Sequence, residues 1–205
     1  MTFLTESDKQ RLRAVIHDAE SKTSGEIVTV IAPTSGSYYY YPTLWAALAA
    51  IVSPLLLAWL SLSYAPLGIV ELQLLVFALL TLLLRRPFIK MYLVPRSVQR
   101  DYCARRAREQ FLAQNMHTTR ERTGVLLYVS VAERHVELLA DAGIHARVPE
   151  GTWNTIVDGL TAEVKAGRIG EGFVAAVQAI GGHLATHFPR PVDDRNELPD
   201  RLIEL

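Results

Sequence analysis

The stretch TLWAALAAIVSPLLLAWLSLSYAPLGIVELQLLVFALLTLLL, residues 43–84, decides how this chain is organised. Its one formally charged side chain is Glu71, whereas Lys, Arg, Asp and Glu recur every few residues on both sides of it. About 20 apolar residues, at roughly 1.5 Å per residue, cross the roughly 30 Å hydrocarbon core of a bilayer. The stretch therefore predicts a transmembrane hairpin with spans at about 43–64 and 67–84.

The basic residues beside the hairpin predict its orientation. They follow the second span, and the connecting turn at residues 65–68 contains none. Since short cytoplasmic loops are rich in Lys and Arg, we expect the turn to face away from the cytoplasm. Both ends of the chain are then cytoplasmic. The basic residues are Arg85, Arg86, Lys90, Arg96 and Arg100.

The remaining composition excludes some classes of partner. Lys plus Arg and Asp plus Glu each number 21, so the net charge is zero and no global field attracts nucleic acid. The single cysteine, Cys103, cannot form an intrachain disulfide. Arginines beside it in sequence favour a lowered thiol pKa, but no base is spaced to activate the thiol, so we expect it to be inert.

The segment before the hairpin predicts a helix and then a buried strand. Ser7 and Gln10 form a capping box for an amphipathic helix over about 6–22. Residues 26–32, EIVTVIA, are mostly β-branched and apolar on both faces, which is typical of a central strand. The chain enters the membrane directly after this strand.

The segment after the hairpin predicts a helix, two strands and two more helices. The first helix runs over about 96–115, is strongly basic, and has a core-facing stripe at Val98, Tyr102, Ala107 and Phe111. Strands follow at 123–131 and 135–140, and apolar residues at helical spacing mark helices beginning near 153 and 173. The Pro-rich tail from residue 189 is expected to be loosely held.

These elements describe an α/β domain of layered-sandwich type, in which helices flank a small sheet. The hairpin interrupts the domain after its first strand. We expect residues 1–36 and 96–188 to fold together on one side of the membrane, with the hairpin at 37–95 and a C-terminal tail at 189–205.

Acidic residues around the end of the third predicted strand are candidates for a cation site. Asp141 ends that strand, and Glu150 and Asp158 follow it. Carboxylate oxygens suit hard cations, so this loop predicts calcium or magnesium. No Walker loop, dinucleotide glycine fingerprint, nucleophile elbow or HExxH motif appears in the sequence.

Four stretches together resemble the TPM-domain family, in particular its bacterial membrane-protein branch. They are TSGEIVTV at 23–30, RTGVLLYVSVAERHVELLADAGI at 122–144, WNTIV at 153–157 and HFP at 187–189. The resemblance implies an α/β sandwich with a mixed sheet, and a location in a bacterial inner membrane. It also implies a domain type linked elsewhere to photosystem repair, receptor modulation, calcium binding and a proposed acid phosphatase activity. The signature positions carried over are Glu26, Glu133, Arg134, Asp141 and Gly143.

Three functions stay open at this point. The first is a membrane-anchored accessory module that contacts membrane lipid, binds a protein partner and assists membrane-protein assembly or quality control. The second, which rests on the resemblance, is a divalent-metal-dependent phosphatase with Asp141 in its acidic loop. The third is an oligomeric pore built from the hairpin, in which Glu71 would face the conducting path.

Overall fold

The computed structural model describes residues 3–60, 65–149, 151–191 and 202–205. The chain divides into two compact units, Met1–Ser35 with Arg100–Leu205 and Gly36–Gln99. The first unit contains the sheet. Its four strands lie in the order β3-β2-β1-β4, where β1 is Glu26–Ala32, β2 is Gly124–Ser130, β3 is His135–Ala140 and β4 is Leu202–Glu204.

The sheet is mixed. Strand β1 pairs in parallel with β2 and with β4, whereas β2 and β3 form an antiparallel hairpin. The parallel partners β1 and β2 are separated in sequence by the whole of the second unit. Both are buried along their full length, as the doubly apolar patterns predict.

Helices cover both faces of this sheet. One core joins Ile27, Leu127 and Val129 to the helices Glu6–Glu20, Thr152–Ala166 and Ile169–His187, and the other joins Val30 and Leu126 to the helix Arg96–Ala113. The predicted α/β sandwich with a mixed sheet is thereby confirmed. The helix bounds are α1 Glu6–Glu20, α5 Arg96–Ala113, α6 Ala142–His145, α7 Thr152–Ala166 and α8 Ile169–His187, and the first unit begins within α5 at Arg100.

Three expectations about the elements of this unit need correction. The capping box of α1 joins Thr5 to Asp8 and not Ser7 to Gln10, because the helix begins at Glu6 with Thr5 as its N-cap. The tail is not loose at its end, because β4 pairs with the edge of β1 that β2 leaves open, with Leu202 opposite Thr29 and Ile203 opposite Val30. The predicted stripe on α5 is partly right, because Ala107 is buried and Phe111 packs against the core. Tyr102, expected in the core, is exposed, because the adjacent Cys103 lies on the buried face of the helix.

The described part of the second unit, residues 36–60 and 65–99, contains three helices. They are α2 (Tyr40–Trp59), α3 (Pro66–Leu84) and the short α4 (Pro87–Leu93). The first two are long and apolar enough to cross a membrane. Tyr64, within the predicted first span, lies outside the described residues.

Candidate functional site

Polar side chains gather where the parallel strands β1 and β2 end. In α/β sheets the carboxyl ends of parallel strands are the usual place for ligands. Here Thr34 and Ser35 follow β1, Ser130 ends β2, and Glu133 lies in the turn into β3. We call this group the exit cluster; its members are Thr34, Ser35, Cys103, Tyr128, Ser130 and Glu133.

Glu133 holds the exit cluster together. Its Oε1 accepts hydrogen bonds of 2.9 Å from the hydroxyl of Thr34 and from the backbone N–H of Ser35. Its Oε2 accepts a 2.6 Å bond from the hydroxyl of Ser130. One buried carboxylate thus ties the chain leaving β1 to the turn that leaves β2. Arg134 completes that turn with a positive φ of 49°, a conformation that costs energy in any residue but glycine.

Ser35 links this carboxylate to the interior of the sheet. Its Oγ lies 2.8 Å from the hydroxyl of Tyr128 and donates to Ser130 Oγ at 2.8 Å. A single direction of donation, from Tyr128 through Ser35 and Ser130 to Glu133, satisfies every hydroxyl in the row. The hydroxyl groups of Tyr128, Ser35 and Ser130 and the carboxylate of Glu133 therefore form one internal hydrogen-bond network.

Cys103 lies against the same serine. Its Sγ is 3.3 Å from Ser35 Oγ, and the side chain is fully buried. Burial raises the pKa of Cys103 to about 11 and also raises the pKa of Tyr128. The expected lowering by neighbouring arginines is wrong, because Cys103 is on the buried face of α5 whereas Arg105 and Arg108 are exposed.

A second group of predicted residues lies at the opposite end of the sheet. Because β3 is antiparallel, its last residues return to the starts of β1 and β2, where Asp141 N donates to Gly124 O at 2.9 Å. Glu26 is the register partner of Gly124 and is buried. The signature positions are therefore divided, with Glu26, Asp141 and Gly143 at this end and Glu133 and Arg134 in the exit turn.

Asp141 caps the short helix α6. Its Oδ1 accepts a 2.7 Å hydrogen bond from the N–H of Ala142, the first residue of that helix. Its Oδ2 lies 3.5 Å from Nε of Arg122, whose side chain is largely exposed. Among the described residues Oδ2 is buried and accepts no hydrogen bond, so the ion pair with Arg122 is the contact that offsets its burial.

Gly143 lets α6 lie directly on the chain that enters β2. Its N–H donates to Arg122 O at 3.1 Å. A Cβ at this position would overlap the carbonyl oxygen of Glu121 and lie 2.7 Å from that of Arg122. No larger residue fits here without movement of the backbone.

The predicted cation site is not assembled from the residues that the structure describes. Asp158 is exposed on α7, and Glu150 lies outside the described residues. Within residues 3–60, 65–149, 151–191 and 202–205, no three His, Cys, Asp or Glu side chains group closely enough to hold a metal ion. Calcium or magnesium binding by Asp141, Glu150 and Asp158 stays a prediction.

The sequence does not single out Ser35, Tyr128 or Ser130. Ser35 and Tyr128 are 93 positions apart, and only the parallel pairing of β1 with β2 brings them together. A usable signal was present, since Thr34 and Ser35 follow β1, Ser130 ends β2, and Glu133 comes three residues after Ser130.

Comparisons with known proteins agree with this architecture. Residues 89–183 match the family model of the TPM domain. The NMR structure of the BA42 protein from the psychrophilic bacterium Bizionia argentinensis is similar to this chain, with a TM-score of 0.62 and 22% sequence identity. The similarity covers 100% of this chain and 97% of that one, and at this identity it concerns the fold alone. No curated protein matches the chain.

The family match contains Glu133, Arg134, Asp141 and Gly143, whereas Glu26 precedes it in the sequence. The bacterial membrane-protein branch of the family stays a prediction. The match over residues 89–183 supports the resemblance to the TPM-domain family that the sequence motifs indicate.

Proposed function

We propose that the chain is a membrane-anchored TPM-domain module that binds a protein partner through its first unit. The observation that carries the anchoring is the second unit's apolar surface. In α3 none of the 19 residues is buried, and Leu74 and Leu82 are 65% and 70% exposed. Water strongly disfavours such a surface, whereas a bilayer solvates it.

The dimensions of the hairpin support the same proposal. At about 1.5 Å per residue, the 20 residues of α2 and 19 of α3 extend about 30 and 28 Å, close to the hydrocarbon thickness. We place the first unit on the cytoplasmic face of a bacterial inner membrane, because the cations follow α3 and the turn between the spans has none.

The internal bonding of the two polar groups supports binding rather than turnover. In the exit cluster the oxygens of Glu133 accept hydrogen bonds from its neighbours, and at the other end of the sheet Asp141 caps α6. Buried groups used in this way stabilise the fold and keep the surface of the first unit rigid. An accessory role in membrane-protein assembly or quality control fits a rigid, tethered surface.

Site-specific photocrosslinking in native membranes tests the partner. A photoreactive amino acid is placed at exposed positions of the first unit, Arg13 on α1 and Asn154 or Thr155 on α7, and at Leu74 on α3 as the control. We expect a discrete protein adduct from at least one position of the first unit that the Leu74 control does not give. Adducts from Leu74 alone, or none from the first unit, would contradict partner binding there.

A further inference from the structure

We propose that the foot of the hairpin binds anionic phospholipid headgroups, an inference that rests on the membrane anchoring proposed above. The surface is formed within the second unit, where α2 begins and α3 ends. We call it the hairpin foot, and its residues are Tyr39, Arg85, Arg86, Phe88, Lys90 and Tyr92.

The charges of the second unit are strongly asymmetric. Its cations are Arg85, Arg86, Lys90 and Arg96, and its one acidic residue is Glu71. Glu71 precedes Arg85 by 14 positions, which is about 21 Å along a helix, so it does not neutralise the foot. The unit therefore has a positive end and no carboxylate of its own to pair with it.

Contacts within the foot hold Arg85 and Lys90 beside the same tyrosine ring. The Cζ of Arg85 lies 5.6 Å from the centroid of the Tyr39 ring, and Nζ of Lys90 lies 4.9 Å from it. Lys90 Nζ also donates to Ser37 O at 3.0 Å. Among the described residues, no carboxylate forms an ion pair with Arg85, Arg86 or Lys90. The positive charges of Arg85 and Lys90 are thus held in place by Tyr39 and Ser37, and no described carboxylate neutralises them.

Two exposed aromatic rings lie beside the cations. Phe88 and Tyr92 are one turn apart on α4, their centroids are 5.2 Å apart, and they are 74% and 77% exposed. Rings of this kind favour the boundary between headgroups and acyl chains. The foot is also continuous with the apolar surfaces of α2 and α3, so its natural occupant is a lipid.

The chemistry of the cations selects the class of lipid. Guanidinium groups form paired hydrogen bonds with phosphate oxygens, and uncompensated cations favour headgroups with net negative charge. A zwitterionic headgroup brings its own ammonium group, which offsets this attraction. We therefore assign the foot to anionic phospholipids such as phosphatidylglycerol.

Tryptophan quenching by lipids brominated on the acyl chain tests the assignment in the full-length protein reconstituted in vesicles. Trp45 lies near the foot, and Trp59 lies 14 positions further along α2, about 21 Å away. Each is isolated by Trp→Phe changes at the other position and at Trp153. We expect brominated phosphatidylglycerol to quench Trp45 at least about twofold more than brominated phosphatidylcholine at equal mole fraction, with no difference at Trp59.

Charge-matched variants identify the residues. The triple variant Arg85→Gln, Arg86→Gln and Lys90→Gln should abolish the preference at Trp45, and high salt should weaken it. A control with the same net charge, Arg11→Gln, Arg13→Gln and Arg108→Gln, should retain it. Equal quenching of Trp45 by both lipids, or loss of the preference in the control, would overturn the assignment while the anchor stands. If neither brominated lipid quenches Trp45 or Trp59, the membrane anchoring itself is wrong.

Discussion

The hydroxyl of Ser130 donates a 2.6 Å hydrogen bond to Oε2 of Glu133, closing the turn that joins β2 to β3. The other oxygen of the same carboxylate accepts a hydrogen bond from the backbone N–H of Ser35, which follows β1. A single side chain therefore fastens two parallel strands that the hairpin separates in sequence.

Removing this carboxylate should weaken the fold. Glu133→Ala leaves three donors without their acceptor, and we expect a loss of about 2–4 kcal/mol in the free energy of unfolding. Denaturant titration of the full chain in mild detergent, followed by circular dichroism, measures it. Glu109→Ala, which breaks an exposed pair with Arg106 on α5, is the control and should cost less than about 0.5 kcal/mol. Equal costs for the two variants would show that Glu133 is not a fastening residue.

Gly143 allows a matched comparison between two glycines. Gly143→Ala places a methyl group 2.7 Å from Arg122 O, and since backbone cannot easily move away, we expect a loss of about 2–3 kcal/mol. Gly159→Ala in α7 meets nothing within 4 Å and should instead stabilise the chain by about 0.5–1 kcal/mol. The same denaturant titration measures both. A Gly143→Ala protein as stable as the parent would contradict the packing of α6 described above.

Asp141 should contribute to the stability of the fold as the N-cap of α6. Asp141→Ala removes the acceptor for Ala142 N and should cost about 1–2 kcal/mol, whereas Asp141→Asn retains an acceptor and should cost less. Asp158→Ala, at an exposed position of α7, is the control and should change stability by less than about 0.5 kcal/mol. Phosphate-ester hydrolysis by the parent in calcium or magnesium, lost in a folded Asp141→Asn protein, would instead support the phosphatase alternative.

The α/β sandwich was accessible from sequence because its evidence is local. Residues 26–32 and 124–130 are continuous apolar runs, and the alternation from His135 to Ala140 marks a strand with two unlike faces. Strand β4 could not be predicted from the sequence, because three residues after a Pro-rich acidic segment are too few to show an alternation of apolar and polar side chains. The exit cluster was missed for a different reason. Its members come from three distant parts of the chain, and the register of β1 against β2 together with the packing of α5 on the sheet brings them into contact.

The thiol of Cys103 should react slowly. Burial raises its pKa from 9.0 to about 11, so at pH 8 its thiolate population falls about 100-fold relative to the unfolded chain. We expect maleimide labelling of the native protein to be slower than that of the denatured protein by at least this factor. An added exposed cysteine, Lys22→Cys, should react rapidly in both states.

The same shift makes stability depend on pH. Because the folded pKa of Cys103 is above the unfolded value, the contribution of the thiol to the free energy of unfolding is complete below pH 9.0 and is lost as pH rises toward about 11.

In the maleimide experiment, labelling of the native protein as fast as that of the denatured protein would contradict the buried position of the thiol.

The topology of the hairpin is the central claim, and cysteine accessibility in sealed membrane vesicles of known orientation tests it most directly. Single cysteines replace Lys22 and His117 in the first unit and Ala65 just before α3, each at an exposed position. With a membrane-impermeant maleimide, the account predicts labelling of Lys22→Cys and His117→Cys from the cytoplasmic face and of Ala65→Cys from the opposite face. Labelling of Lys22→Cys and His117→Cys from opposite faces, or of all three from one face, would contradict it.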